Sequence, residues 1–287
     1  MPKKDNTDAH HWDQVIEPHG NALSPRFAEM WRYRDLIYLF VRRDFVAHYK
    51  QTILGPAWHI IQPLLTTLIF TVIFGKIAKI STDGVPPFIF YLCGTVIWTY
   101  FANVITETST TFKNNAQVFG KVYFPRLVVP IATSASKLIS FAIQFLFFVC
   151  FLSYYWATGS QVSPNAWVLA TPLFLLLMAM LALGAGLLIT AMTTRYQDLN
   201  VLVGFGVQLG MYASPVIYPI SSLPEKWQFW ANMNPVAPII EGFRYAYLGV
   251  GQFDPFQLLQ SIVVITLVLI AGIVVFSRVE RTFSDTI

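Results

Sequence analysis

Few side chains in this sequence are placed to do covalent chemistry. A phosphate cradle of the form G-x-x-x-x-G-K-[ST] needs a Gly-Lys pair, and the two present are Gly75-Lys76 and Gly120-Lys121. Neither has the preceding glycine or the following Ser/Thr that would complete it. His10, His11, His19, His48 and His59 form no i, i+4 pair around a carboxylate, so no metal site is spaced out along the chain. A relay driven by protons or sodium would bury carboxylates inside apolar runs, where an ionisable group is expensive and kept for function. Glu107 and Asp198 instead sit at the ends of such runs, Glu225, Glu241 and Asp254 lie between two of them, and only Lys137 approaches an apolar interior. Catalytic residues, resident cofactors and bound metals are therefore expected to be none, and any energy has to come from another polypeptide.

The elements that hold these residues are apolar on a scale that excludes a soluble domain. Of 287 residues, 55% are hydrophobic, 16% aromatic and 12% charged, where soluble domains carry roughly 25% charged residues. The apolar residues form long uniform runs rather than segments of about ten alternating positions, which excludes a membrane β-barrel and indicates an all-α integral membrane protein. The net charge of +4 sits beside the apolar runs, where lipid head groups and topology account for it better than nucleic acid does. Cys93 and Cys150 fall inside uncharged runs and read as packing residues. The first 50 residues hold no early apolar stretch, so no cleavable signal peptide is expected.

Six transmembrane helices are predicted at about 57–75, 86–106, 133–156, 166–192, 199–218 and 257–277. The 57-residue run at 138–194 is split in two by Gly159-Ser160-Gln161-Val162-Ser163-Pro164, a turn-forming cluster. The third span has two candidate edges, Pro130 and Lys137. With the amino terminus inside, fourteen Lys and Arg residues fall on the inner side and four on the outer, which orients both termini to the cytoplasm. The layout has three parts: a polar arm at 1–24; an interfacial amphipathic helix at 25–50, with a half-inserted segment as the alternative; and a transmembrane domain at 51–280 that holds the six spans. That domain has an inner loop at 107–126, with room for one short amphipathic helix. It also has a proline-rich, aromatic outer segment at 219–256, expected to form short re-entrant helices between spans five and six. No internal repeat is visible, which speaks against inverted-repeat secondary transporters.

Several segments together resemble the ABC-2 type permeases that export polysaccharides. They are Arg42-Arg43-Asp44-Phe45 through Phe74-Gly75, Lys121-Val122-Tyr123-Phe124-Pro125-Arg126 in the inner loop, and Asn234-Pro235-Val236-Ala237-Pro238-Ile239-Ile240-Glu241-Gly242-Phe243-Arg244 in the outer segment. The arm Trp12-Asp13-Gln14-Val15-Ile16-Glu17-Pro18 is similar to that of the O-antigen exporters in the family. The resemblance implies a homodimer on two copies of a separate cytoplasmic ABC ATPase, which binds the ATP and Mg. It also implies outward movement of a lipid-linked polysaccharide, most closely O-antigen of lipopolysaccharide, across the bacterial inner membrane. The route would lie at the dimer interface, and no nucleic acid would be involved.

On that reading Phe112, Lys113, Val118, Phe119, Lys121 and Tyr123 form the ATPase-coupling loop, the apolar members entering a cleft and the lysines facing acidic rim groups; the alternative is a basic loop made by topology alone. Trp58, Trp98, Tyr100, Tyr212 and Tyr218 are candidate glycan-path residues, since sugar C–H faces stack on aromatic rings, but a lipid-facing belt would place aromatics at the same span ends. Trp227, Trp230, Glu241 and Arg244 are candidates for an outer gate, Glu241 and Arg244 being spaced to pair on one helix face. Lys137 either neutralises a lipid pyrophosphate or snorkels to the inner interface. Capsule or teichoic acid polymers, or small lipophilic drugs, are alternative cargoes. A membrane glycosyltransferase would need acidic residues at the water boundary, where they are scarce.

Overall fold

The computed structural model describes residues 31–49, 55–122, 124–194, 196 and 198–284. The arm at 1–24 and the first part of the 25–50 helix lie outside the described residues, as does Tyr123. Among the described residues ten α-helices follow one another and there is no strand. They are α1 (Arg34–Tyr49), α2 (Trp58–Phe70, continued by a π-turn over Thr71–Ile77), α3 (Pro87–Thr108), α4 (Thr111–Phe119) and α5 (Val128–Ala157), then α6 (Thr171–Thr193, led in by a 3-10 turn over Ala166–Ala170), α7 (Leu199–Ala213), α8 (Glu225–Met233), α9 (Ala237–Leu248) and α10 (Pro255–Ser284). Proline stands at the first turn of α3, α6 and α9, where the missing N–H has no partner to lose.

Among the described residues five helical stretches are long and apolar enough to cross a bilayer: Trp58–Ile77, Pro87–Thr108, Val128–Ala157, Ala166–Thr193 and Pro255–Glu280. Two boundaries differ from the sequence reading. The third span starts at Val128, not near 133, because Pro130 falls in the first helical turn, where proline is tolerated. The fifth apolar run forms a helix of only 15 residues, short of the ~20 that a bilayer demands. It stops at Ala213 because Ser214 precedes Pro215 and adopts an extended φ of −107° and ψ of 153°.

α3 is the central post: 78% of its apolar stretch is buried inside the chain, against 17% for α2 and 22% for α10. α5 and α6 pack on it, α2 closes one side through a Thr67–Thr95 hydroxyl contact of 3.3 Å and the Phe70–Tyr91 edge, and α7 brings Gly210 against Trp98. Cys93 is buried in this packing and Cys150 is exposed, both as free thiols.

α6 and α10 form the closest helix pair, and glycine makes it. A Cβ built on Gly184 would stand 2.7 Å from Leu269 Cα, and one on Gly272 would run into the Gly184 carbonyl oxygen. Small residues serve lipid-embedded helices this way because backbone approach supplies the van der Waals contact that apolar burial supplies in water. Gly184→Leu is therefore expected to pry the pair apart at about 1–3 kcal/mol or more. The check is the thermal midpoint of the detergent-solubilised protein, and an unshifted midpoint would refute the close approach.

Candidate functional site

At the end of the bundle where α3 finishes, α3 turns into α4 within two residues. Helical spacing puts Phe112, Asn115 and Phe119 on one buried face of α4, and Lys113, Asn114 and Gln117 on the exposed one. The buried face is held by partners far away in sequence. Phe112 stacks on Phe276 near the end of α10, at 4.9 Å and 18°. Phe119 meets Phe124 at 5.7 Å, and Phe124 meets Phe40 of α1 at 5.8 Å.

Arg126 closes the cluster. Its guanidinium lies over Phe119 at 5.5 Å and Phe112 at 5.9 Å, its Nη1 donates to the Glu280 carbonyl at 3.0 Å, and its backbone N–H donates to Glu280 Oε1 at 3.2 Å. From the other side Arg43 lies over Phe40 at 4.6 Å and donates to Asn115 Oδ1 at 3.4 Å. Arg43 thus joins α1 to α4. α1 itself packs Leu36, Ile37, Phe40 and Val41 toward the start of α5 and leaves Tyr38, Leu39, Phe45 and Val46 exposed.

Of the residues proposed for the coupling loop, Phe112 and Phe119 are 3% and 8% exposed and point into the chain. Lys113 and Lys121 are exposed, with exposed Val122 beside them, and Val118 is half-buried. The loop is thus an amphipathic helix anchored from behind, with its basic face left open. Arg43, Asn115, Phe124, Phe276 and Glu280 escaped sequence reasoning as partners of this loop. The one local hint was Phe276 and Glu280, an aromatic and an acid at the very end of an otherwise apolar run.

Beside this cluster Lys137 of α5 is buried and forms an ion pair with Glu107 of α3. Tyr100 is 2% exposed and its hydroxyl contacts Ser134 Oγ at 3.1 Å. Trp98, 5% exposed, lines an apolar cavity of about 490 Å³ between α3, α6 and α7, with Phe101, Ile105, Met192, Val203 and Gly206. The candidate path residues therefore divide: Trp98 and Tyr100 belong to internal packing, Trp58 and Tyr212 are exposed, and Tyr218 is half-buried.

At the opposite end of the bundle Glu241 and Arg244 of α9 pair at 2.7 Å, with side chains 1% and 0% exposed. Arg244 Nη2 also donates to the carbonyls of Pro215 at 2.6 Å and Val216 at 3.3 Å, and its guanidinium lies 4.0 Å from the Phe90 ring centre. Glu241 Oε2 accepts from the Gln252 N–H at 3.1 Å. Burial pushes the Glu241 carboxyl above the usual carboxylate range, while the Arg244 guanidinium and the Gln252 and Ile220 amides act in the opposite direction. The pair knits α9, α3, the 214–220 segment and the 251–252 turn into one unit. Trp227 and Trp230 stand apart from it, each 64% exposed on α8, so the four residues named for an outer gate form a buried clasp and a separate aromatic face.

Among the described residues no three His, Cys, Asp or Glu side chains gather where they would hold a metal ion. What remains is an α-helical membrane bundle with a basic amphipathic helix at one end and a clasped short helix, α9, at the other.

Residues 35–248 match the sequence profile of a family described as ABC-2 type transporter. The O-antigen export system permease protein RfbA of Klebsiella pneumoniae is 26% identical over 252 residues, covering 88% of this chain and 94% of its own length. RfbA of Myxococcus xanthus is 23% identical over 262 residues, covering 90% and 98%. The capsule polysaccharide export inner-membrane protein CtrC of Neisseria meningitidis is 24% identical over 226 residues, covering 75% and 80%.

Proposed function

The chain belongs to the ABC-2 type transporter family, and from that premise we propose that it is the membrane subunit of an exporter of lipid-linked polysaccharide, O-antigen in the first instance. It provides a route and performs no reaction of its own. The observation that carries this reading is the likeness to RfbA proteins over 94% and 98% of their lengths. Capsule polymer is the second reading, favoured by the likeness to CtrC.

Two copies of the chain enclose the route and sit on two copies of a cytoplasmic ATPase, which binds ATP and Mg. α4 is the contact for that ATPase: Lys113 and Lys121 face acidic rim groups, while Phe112 and Phe119 fix the helix from behind. Both termini are cytoplasmic and the membrane is the bacterial inner membrane. α7 serves as a short crossing, the sixth, and α8 and α9 re-enter the outer leaflet as the exit. Trp58, Tyr212 and Tyr218 are the path candidates with exposed ring surface, and Trp227 and Trp230 border the exit.

Reconstitution tests this directly. Vesicles holding the chain and its ATPase partner are expected to translocate lipid-linked polymer when ATP is supplied, and vesicles holding the chain alone are expected to move none. Translocation by the chain unaided would overturn the reading.

A further inference from the structure

The last turn of a helix leaves carbonyl groups without partners inside the helix. At the inner end of α3 two of these are taken by hydroxyls of a helix more than eighty residues on. Thr190 Oγ1 of α6 donates to the Thr108 carbonyl, and Thr193 Oγ1 donates to the Ser109 carbonyl at 2.6 Å. Gly186, one turn before Thr190 on the same face, admits the Thr108 side chain; a Cβ there would stand 2.7 Å from Thr108 Cβ. The Thr108 carbonyl also accepts from Thr111 Oγ1, the first residue of α4, at 2.8 Å. One peptide group therefore joins α3, α4 and α6.

Each threonine hydroxyl has one proton and a second acceptor in its own helix, Gly186 O at 2.7 Å for Thr190 and Thr190 O at 3.1 Å for Thr193. The link to the α3–α4 turn can thus lengthen or shorten without stranding a donor. A second tie runs from the same loop to α10, through Phe112 on Phe276 and Arg126 on Glu280. Both ties end on helices that the Gly184–Gly272 approach binds into one body. The outer end of that body meets α9, where the Thr171 and Tyr247 hydroxyls lie 2.6 Å apart and Gly242 leaves room for Phe174.

From this chain of contacts we infer that Thr190 and Thr193 are positioning residues that pass displacement of α4 into the α6–α10 pair and so to α9, a role that rests on the export reading above. Neither touches cargo. Their removal uncouples the loop from the spans without altering the exposed face of α4.

The test uses the full complex with its ATPase partner in vesicles, comparing wild type, Thr190→Val/Thr193→Val and Thr190→Ser/Thr193→Ser. Valine keeps the shape and loses the donor; serine keeps the donor. The valine pair is expected to keep ATP hydrolysis within about twofold of wild type while polymer moved per ATP falls at least about fivefold, and the serine pair is expected to restore that ratio. Thr193→Val alone carries the same expectation at smaller amplitude, should the double variant fail to assemble. Hydrolysis and transport falling together, or an unchanged ratio in the valine variants, would overturn the joint. Wild-type vesicles that move no polymer with ATP would overturn the export reading and the joint with it, whereas a transporting wild type beside an unaffected valine variant overturns the joint alone.

Discussion

Arg244→Ala is expected to cost about 3–5 kcal/mol of stability, because it leaves a charge buried with no counter-charge. Glu241 keeps 1% exposure and loses the guanidinium that neutralises it. The Pro215 and Val216 carbonyls lose their shared donor, and Phe90 loses the cation on its face. Arg244→Lys is expected to recover only part of this, since an ammonium on a flexible stem cannot serve the carboxylate and the carbonyls with the geometry of a planar fork. The measurement is the melting midpoint of the detergent-solubilised protein, with a drop of about 8 °C or more for alanine. A midpoint matching wild type would mean that the pair is incidental to the fold.

Phe112→Ala is expected to release α4 while leaving the spans assembled. Removing a buried aromatic side chain costs about 3–5 kcal/mol when the cavity cannot collapse. Phe112 touches three rings or ring-borne charges at once: Phe276, Phe119 and Arg126. α4 is only nine residues long, too short to persist as an isolated helix in water, so the loss surfaces as local opening rather than global unfolding. Amide hydrogen exchange over residues 111–119 is expected to rise by roughly two orders of magnitude or more, given about 1.4 kcal/mol per tenfold, with α3 and α5 unchanged. Equal protection in the variant and wild type would show that the stack does not hold the loop. Lys113→Ala, on the exposed face, is the control and is expected to stay within about 0.5 kcal/mol.

The sequence carries the membrane class and the five long spans openly, because ~20 uncharged residues in a row admit few other structures. It carries the boundaries less well, since Pro130 and Pro215 look alike on paper. One falls in a first turn and is absorbed; the other follows Ser214 and ends α7. The Glu241–Arg244 pair is visible in the i, i+3 spacing, but its carbonyl acceptors are not, because Pro215 and Val216 lie 29 and 28 residues away. The inner loop shows the same limit. Its amphipathic helix is legible, yet the burial of Phe112 and Phe119 depends on Phe40 and Phe276, and local spacing holds no trace of such distant rings. Trp98 and Tyr100 read as span-end aromatics, and tertiary packing of α3 decided that they face inward.

α7 spans only about 22 Å at 1.5 Å per residue, so if it serves as the proposed sixth crossing of a ~30 Å hydrocarbon slab, the irregular backbone from Ser214 onward begins within the membrane. Bare peptide groups do not survive facing lipid tails; they need either protein or solvent around them. Here the fully enclosed guanidinium of Arg244 acts as an internal solvent, doing for two peptide oxygens what hydration does at an ordinary loop. This end of the bundle can therefore be non-helical without leaving those two carbonyls bare, its shape set by one cation.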